Sequence, residues 1–395
     1  MFVYCDNAAT SPICKPALDA MTPWLTELYG NASGVYKMAR DAKTALENAR
    51  RTAAECLGVA PNTFYFTSGG TESDNWALKS AVEAAGETRR HIAISAGEHH
   101  AVLHTAESLK KKGHPLTVVP VDPYGLIHPK ALLKALRPDT AIVSVIYAGN
   151  EIGTVQPIAE LARAVKEKDK NILFHTDAVQ AAGHIQTELT PDIDMASISA
   201  HKFGGPKGVG ALYIKSGVKL PPLLHGGGHE RGRRSTTENV AGAVGLAAAL
   251  EHMTRNRDEF SRKVTALRER LIEGVLSAVP YSRLTGHRER RLPGHASFVF
   301  AAVEGELLVC RLDCKGVAAS SGSACSTASL DPSHVLLAIG LSHEEAHGSL
   351  RLTVSHTNTE EEMDFVVQTI KTVVESCRQM SPLWNAKKGE PLNVY

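Results

Sequence analysis

Two residues about 25 positions apart carry the first chemical signal. Lys202 ends a strand-like run, Ser197-Ile198-Ser199-Ala200-His201-Lys202, and Gly204-Gly205-Pro206 follow it. Glycines beside such a lysine let backbone approach a ligand closely. A lysine amine is a nucleophile only when desolvated and partly deprotonated, and its main use is a Schiff base with a carbonyl. Taken alone, Lys202 reads more readily as a surface residue in a turn. Asp177 changes that balance, because it closes the preceding apolar run, Phe174-His175-Thr176-Asp177. Pyridoxal phosphate needs a lysine for its aldehyde and an acid for its pyridinium nitrogen.

The elements that must position these two residues alternate. Strand-like runs at 64–67, 91–95, 116–119, 141–147, 172–175, 195–199 and 209–214 are separated by helical patterns, among them 99–112, 129–136 and 158–168. Such alternation implies a largely parallel sheet covered on both faces, with its site at the carboxyl ends of the strands. Thr71, His99, Asn150, Asp177 and Lys202 each follow one of those runs. Ser68-Gly69-Gly70-Thr71 opens a helix, and freed amides with a Thr hydroxyl at a helix start make a phosphate cradle. Gly-Gly-Thr by itself is only a turn.

Beyond residue 214 the texture changes to Pro221-Pro222, Gly226-Gly227-Gly228 and an arginine cluster at 231–234. Helices near 239–253 and 259–279 then lead into a smaller α+β unit with strands near 296–300 and 350–354. Its last helix starts at Thr359-Glu360-Glu361-Glu362, a capping box, and carries Met363, Val366, Ile370, Val373 and Cys377 on one stripe. Residues 381–395 read as a tail. The division expected is a large unit over 14–256, and a small one of 1–13 with 257–395.

The 395 residues include 43 basic and 42 acidic side chains, a net charge of +1. That balance argues for neither a nucleic-acid nor a membrane footprint. Seven cysteines at irregular spacing form no disulfide framework. Cys310 and Cys314 have no second pair to make a zinc site, and no metal is expected. His100 and His104 stand at i and i+4 on a helix, yet two ligands without a third read as solvent-facing. With no signal-like start and no apolar run of membrane length, a reducing cytoplasm is the expected compartment.

One stretch is built from small residues only: Ala318-Ala319-Ser320-Ser321-Gly322-Ser323-Ala324-Cys325-Ser326-Thr327-Ala328-Ser329. With no large apolar anchor it should be mobile, which makes Cys325 an exposed thiol. Deprotonated, it is a nucleophile; it could equally be an incidental cysteine in a flexible loop.

Together these segments resemble the cysteine desulfurases of the aminotransferase class-V type, in the branch with a long cysteine loop at 318–330. The matching runs are Asp6-Asn7-Ala8-Ala9-Thr10, Phe66 to Asn75, Glu98-His99, Asn150-Glu151-Ile152-Gly153-Thr154 and His175 to Gln180. Ser199-Ala200-His201-Lys202, Arg231 to Arg234, Thr237-Glu238-Asn239 and Ser320 to Cys325 complete the set in order. The resemblance implies a pyridoxal-phosphate transferase of fold type I, with a seven-stranded, mainly parallel sheet. It also implies roles. Lys202 would hold the cofactor, Asp177 its pyridine nitrogen, and His99 would stack on the ring and move protons. Gln180 and Asn150 would lie near the ring hydroxyl. Gly70, Thr71, Ser199 and His201 would bind phosphate, with Thr237 supplied by a second subunit of a homodimer. Arg351, Asn150 and Asn31 would bind the substrate, L-cysteine, and Cys325 would take its sulfur as a persulfide for a protein acceptor. That acceptor would serve iron–sulfur cluster assembly or tRNA thiolation. The chain departs from the family at Gly149 (usually Asn), at Ala32, Ser33, Gly34 and Tyr36 (usually Pro-Ser-Ser and a histidine), at Thr236 (Gly) and at His229 (Gln). Two other readings stand beside this one: a lyase acting on selenocysteine or on cystine and cysteine, and a cofactor-binding scaffold with little turnover.

Overall fold

The computed structural model describes residues 1–322 and 332–392. The chain starts with β1 (Val3–Tyr4), α1 (Lys15–Thr26), α2 (Lys37–Cys56), β2 (Phe64–Thr67) and α3 (Gly70–Ala85). Next come β3 (His91–Ser95), α4 (His100–Lys111), β4 (Leu116–Val119), α5 (Pro129–Ala135) and β5 (Thr140–Ser144). Then follow α6 (Ile158–Lys168), β6 (Leu173–Asp177), β7 (Met195–Ser199), β8 (Gly210–Ile214), α7 (Val240–Arg255) and α8 (Arg257–Ala278). The last third contains β9 (Ser282–Leu284), β10 (His295–Phe300), α9 (Gly305–Asp313), β11 (Val317–Ala318), α10 (His334–Ala338) and α11 (His343–His347). It closes with β12 (Ser349–Thr353), α12 (Glu360–Met380), β13 (Trp384–Asn385) and β14 (Glu390–Pro391).

Seven strands form the central sheet in the order β2-β8-β7-β6-β5-β3-β4. Only β8 runs against its neighbours, being antiparallel to both β7 and β2. The other pairs are parallel. The carboxyl ends of β2, β3, β5, β6 and β7 therefore share one edge, and every candidate residue that follows those strands is delivered there. Strands buried on both faces read as near-continuous apolar runs, and the polar residues in them are hydrogen-bonded. Ile92, Ile94, Ile142, Met195 and Leu212 face Trp76 and Leu78 of α3 and Val102 of α4. On the other face Ala93, Val143 and Phe174 meet Leu161 and Val165 of α6. Ile158, Leu161, Ala162 and Val165 recur at helical spacing and are all buried, which fixes how α6 lies on the sheet.

A second core joins Val3 and Cys5 to α8, α9, β10, β12 and α12. Here β10 lies between β12 and β9, antiparallel to each. The capping box at Thr359 and Glu362 is formed, and the stripe from Met363 to Cys377 is buried. Three expectations change. β5 is regular only to Ser144: beyond it the Val145 and Tyr147 amides still donate to His175 and Asp177 of β6, but the Ile146 amide between them goes to the Glu98 carboxylate at 2.7 Å. β6 continues to Asp177, where β7 still offers Ser197 as a partner. The expected tail contains a short hairpin, β13 with β14, and the Arg378 guanidinium lies 4.5 Å from the centroid of the Trp384 ring.

The arginine-rich loop after β8 is pinned by a buried ion pair. Arg50 of α2 makes two 2.8 Å bonds to the Glu230 carboxylate, which also accepts the Phe66 amide of β2 at 2.9 Å. Glu230 and Arg231 adopt positive φ angles of 48° and 56°, so the pair holds strained backbone in place. Removing one member of a buried pair leaves the other charge uncompensated, at a cost of about 3–5 kcal/mol. Glu230→Ala should therefore lower the unfolding free energy, extrapolated from a urea titration, by an amount in that range. An unfolding free energy unchanged within about 0.5 kcal/mol would show that the pair holds nothing.

Candidate active site

Lys202 ends a single 3-10 turn, Ala200–Lys202, directly after β7. Its Nζ donates to the Ala8 and Ala9 carbonyls at 2.6 and 2.8 Å. Those carbonyls belong to the segment after β1, which crosses the sheet edge because β1 is paired in parallel with β11. Gln180 donates to the same Ala8 carbonyl at 2.9 Å. The backbone of residues 8 and 9 is thus a seat for the lysine, a role the sequence reading had not assigned.

Asp177 is buried at the end of β6 and accepts the Val179 amide at 2.9 Å. Burial pushes its carboxyl up to about 6, opposed by that amide and by Lys202. His99 caps α4, its Nδ1 accepting the Ala101 amide at 3.1 Å, so the ring proton sits on Nε2. Burial and the Lys202 charge lower His99 to about 4, which keeps the imidazole neutral at neutral pH. Donor atoms of Asp74, His99 and Asp177 lie within 4.8 Å of one another. Asp74 and Glu98 are buried carboxyls to which sequence reasoning gave no role. Burial and the Asp177 charge hold both well above the usual carboxylate range, and each has one oxygen without a partner. Beneath them His175 is gripped by the hydroxyls of Ser144 and Ser197, each at 2.9 Å, and burial drops it to about 3.

Gly70 and Thr71 begin α3, and their amides belong to the unpaired first turn of a helix. A Cβ on Gly70 would stand 2.7 Å from Val179, so only glycine lets this turn sit against the Asp177 loop. Ser199 approaches the same turn from β7: its Oγ would be 3.8 Å from a Cβ on Gly69. His201 holds Thr10 Oγ1 at 3.1 Å and is lowered to about 4, first by burial and then by Lys202. Thr237 is exposed on the loop before α7.

Arg351, near the middle of β12, is buried and meets Asp6 at 2.8 Å and the Asn150 carbonyl at 3.2 Å. Its Nε has no partner. Asn150 is buried beside it, whereas Asn31 is exposed and its side chain accepts the Ser33 amide. Asp6, not Asn31, occupies the guanidinium. The stem of the cysteine segment is anchored here rather than loose. Ser320 and Ser321 are buried, Ser320 exchanges backbone bonds with Arg351, and the Gly322 amide donates to Ser349 Oγ. Cys325 lies outside the described residues. A largely apolar cavity of about 460 Å³ also reaches Lys202 and Gln180. Its lining joins Ala8, Gln180 and Lys202 to Met253, Phe260, Val264 and Val354 but does not include His99, Asp177 or Arg351, so it adjoins the seat of the lysine.

The aminotransferase class-V family model matches residues 3–366. The cysteine desulfurase IscS of Methanosarcina thermophila is 49% identical over 96% of this chain and 94% of its own length. The chain belongs to the class-V aminotransferases, and within them to the cysteine desulfurases. IscS of Clostridium botulinum is 48% identical over 97% of this chain and 96% of its own. Among solved structures, a NifS-like protein superposes with TM-score 0.90 at 38% identity, covering 95% of this chain and all of that one. SspA in complex with cysteine gives TM-score 0.79 at 33% identity over 90% of this chain and 99% of its own. Class-V aminotransferases and cysteine desulfurases depend on pyridoxal phosphate. The residues fit it: an amine, an acid poised to pair with a protonated pyridine nitrogen, a neutral imidazole and a Cβ-free helix start.

Proposed function

We propose that the protein converts L-cysteine to L-alanine and carries the sulfur on Cys325. One observation carries this reading. The lysine and acid that suit pyridoxal phosphate stand at one sheet edge, a buried arginine of β12 meets the Asn150 carbonyl at that edge, and the backbone of that arginine is bonded to the stem of the cysteine segment. Bound pyridoxal phosphate supplies an electron sink at the amino acid's Cα. Lys202 would tether it, and its amine would take or give a proton beside the substrate. Asp177 would pair with the pyridine nitrogen. His99, with its proton on Nε2, would lie against the ring, with Asn150 and Gln180 near its hydroxyl. The amides of Gly70 and Thr71, with Ser199 and His201, take the phosphate, and Thr237 reaches the site of the other subunit in a homodimer. Arg351 exchanges Asp6 for the substrate carboxylate. The Cys325 thiolate attacks the substrate sulfur, the Cβ–S bond breaks with its electron pair going to the carbon fragment, and a proton returned to that fragment completes alanine.

The persulfide then passes to an acceptor protein, for iron–sulfur cluster assembly or tRNA thiolation, in the cytoplasm. No helix among the described residues is long and apolar enough to cross a membrane. Residues 14–256 would act as the cofactor-binding unit, and 1–13 with 257–395 as the unit that brings Arg351 and Cys325 to it.

Purified protein loaded with pyridoxal phosphate should release alanine from cysteine, with stoichiometric sulfide under reducing conditions. Cofactor binding without alanine would favour the scaffold reading. Arg351→Lys gives a more limited test. Losing a charge-assisted fork of about 1.5–3 kcal/mol should lower kcat/KM by roughly ten- to a hundredfold, mainly through KM. An unchanged KM would remove Arg351 from substrate binding.

A further inference from the structure

His100 and His104, a helical pair short of a third ligand in the sequence, gain a neighbouring imidazole in the fold. Both lie on α4, with His100 Nδ1 and His104 Nε2 3.2 Å apart and ring centroids separated by 4.8 Å. His334, the first residue of α10, comes from the far end of the chain and places its ring centroid 4.9 Å from that of His100. Its Nε2 lies 2.9 Å from the Glu98 carbonyl. A carbonyl only accepts, so that nitrogen carries the proton and Nδ1 is left with its lone pair. An imidazole whose second nitrogen is fixed by a backbone carbonyl is the usual form of a metal-binding histidine. Zinc–nitrogen bonds of about 2.0–2.1 Å in a tetrahedron put ligand nitrogens roughly 3.3 Å apart, which is the spacing of the helical pair.

We propose that His100, His104 and His334 bind one divalent transition metal of the imidazole-preferring kind, with water completing the shell. One of the two nitrogens 3.2 Å apart now carries the hydrogen between them. Metal binding moves that hydrogen to the same ring's other nitrogen, so both face the ion and no net proton is released. The His334 ring has to turn toward the pair to close the third bond. The site is distinct from the cofactor cleft, since His99 faces that cleft and its ring centroid stands 6.3 Å from that of His100. Occupied, it would tie α4, which His99 caps, to α10, the first helix after the cysteine segment.

Zinc alone is the probe. Holoenzyme whose accessible thiols have been blocked with iodoacetamide is dialysed to equilibrium against zinc. One ion per protomer is expected, with affinity weakened roughly tenfold or more by His104→Ala and by His334→Ala. His343→Ala, on α11, should leave it unchanged. Cobalt in place of zinc should show visible bands of a four-coordinate site that vanish in the same two variants. His104 is exposed, so its replacement leaves the fold intact, and unchanged cofactor absorbance checks this for both. Zinc binding that survives either substitution, or that disappears once the thiols are blocked, overturns the site.

Discussion

Lys202→Ala protein is expected to bind pyridoxal phosphate without a covalent link and to lose roughly a thousandfold or more in alanine formation. Among the described residues, Lys202 is the amine seated on the Ala8 and Ala9 carbonyls, at 2.6 and 2.8 Å. Borohydride treatment of the wild-type holoenzyme should add the cofactor mass to the peptide containing Lys202, and the variant should show no such adduct. Because Asp177 is bonded to the Val179 amide rather than to Lys202, the acid should remain in place when the lysine is gone. A variant that still forms a reducible adduct, or turns over within tenfold of wild type, would mean that another amine does the work.

Cys325→Ser should separate persulfide transfer from direct elimination. Cofactor loading is expected to be normal, since Lys202 and Asp177 are untouched. Turnover with cysteine should fall on the order of a thousandfold, because a hydroxyl attacks sulfur poorly and forms no stable product there. Mass spectrometry of wild-type protein after brief exposure to cysteine should find one added sulfur on the Cys325 peptide. Selenocysteine can still turn over slowly in the variant, because selenium leaves more easily than sulfur. Alanine produced from cysteine at the wild-type rate would instead establish the lyase chemistry.

What could be read before folding was whatever depends on neighbours in sequence. The alternation that puts Asp177 and Lys202 on strand ends, the buried stripe of α12 and its Thr359–Glu362 cap are local patterns, and all stand in the structure. The unread part depends on distant partners. Arg351 is assigned a role only through the resemblance, and its burial against Asp6, 345 positions away, shows only in the fold. The stem of the cysteine segment looked loose from its small residues, because no composition reveals that Ser320 exchanges backbone bonds with Arg351. Asp74 and Glu98, though they lie in the matching runs, were given no role for a different reason. A carboxyl on a helix or a turn ordinarily faces water, and only the sheet above them shows that these two do not.

The crossing of residues 3–9 over the sheet edge also sets a timetable. Asn7 bonds the Thr353 carbonyl across 346 positions, and Val3 pairs with Val317. At about 5–20 residues per second on the ribosome, the first strand waits roughly 20 to 70 s for the segment it must join. The sheet from β2 to β8 needs nothing beyond Ile214 to complete its ladder, so the newborn chain holds a finished sheet beside an unfinished seat for the lysine. Cofactor capture in its final form is therefore a late event of synthesis, and the carboxyl-terminal third of the chain controls when it occurs.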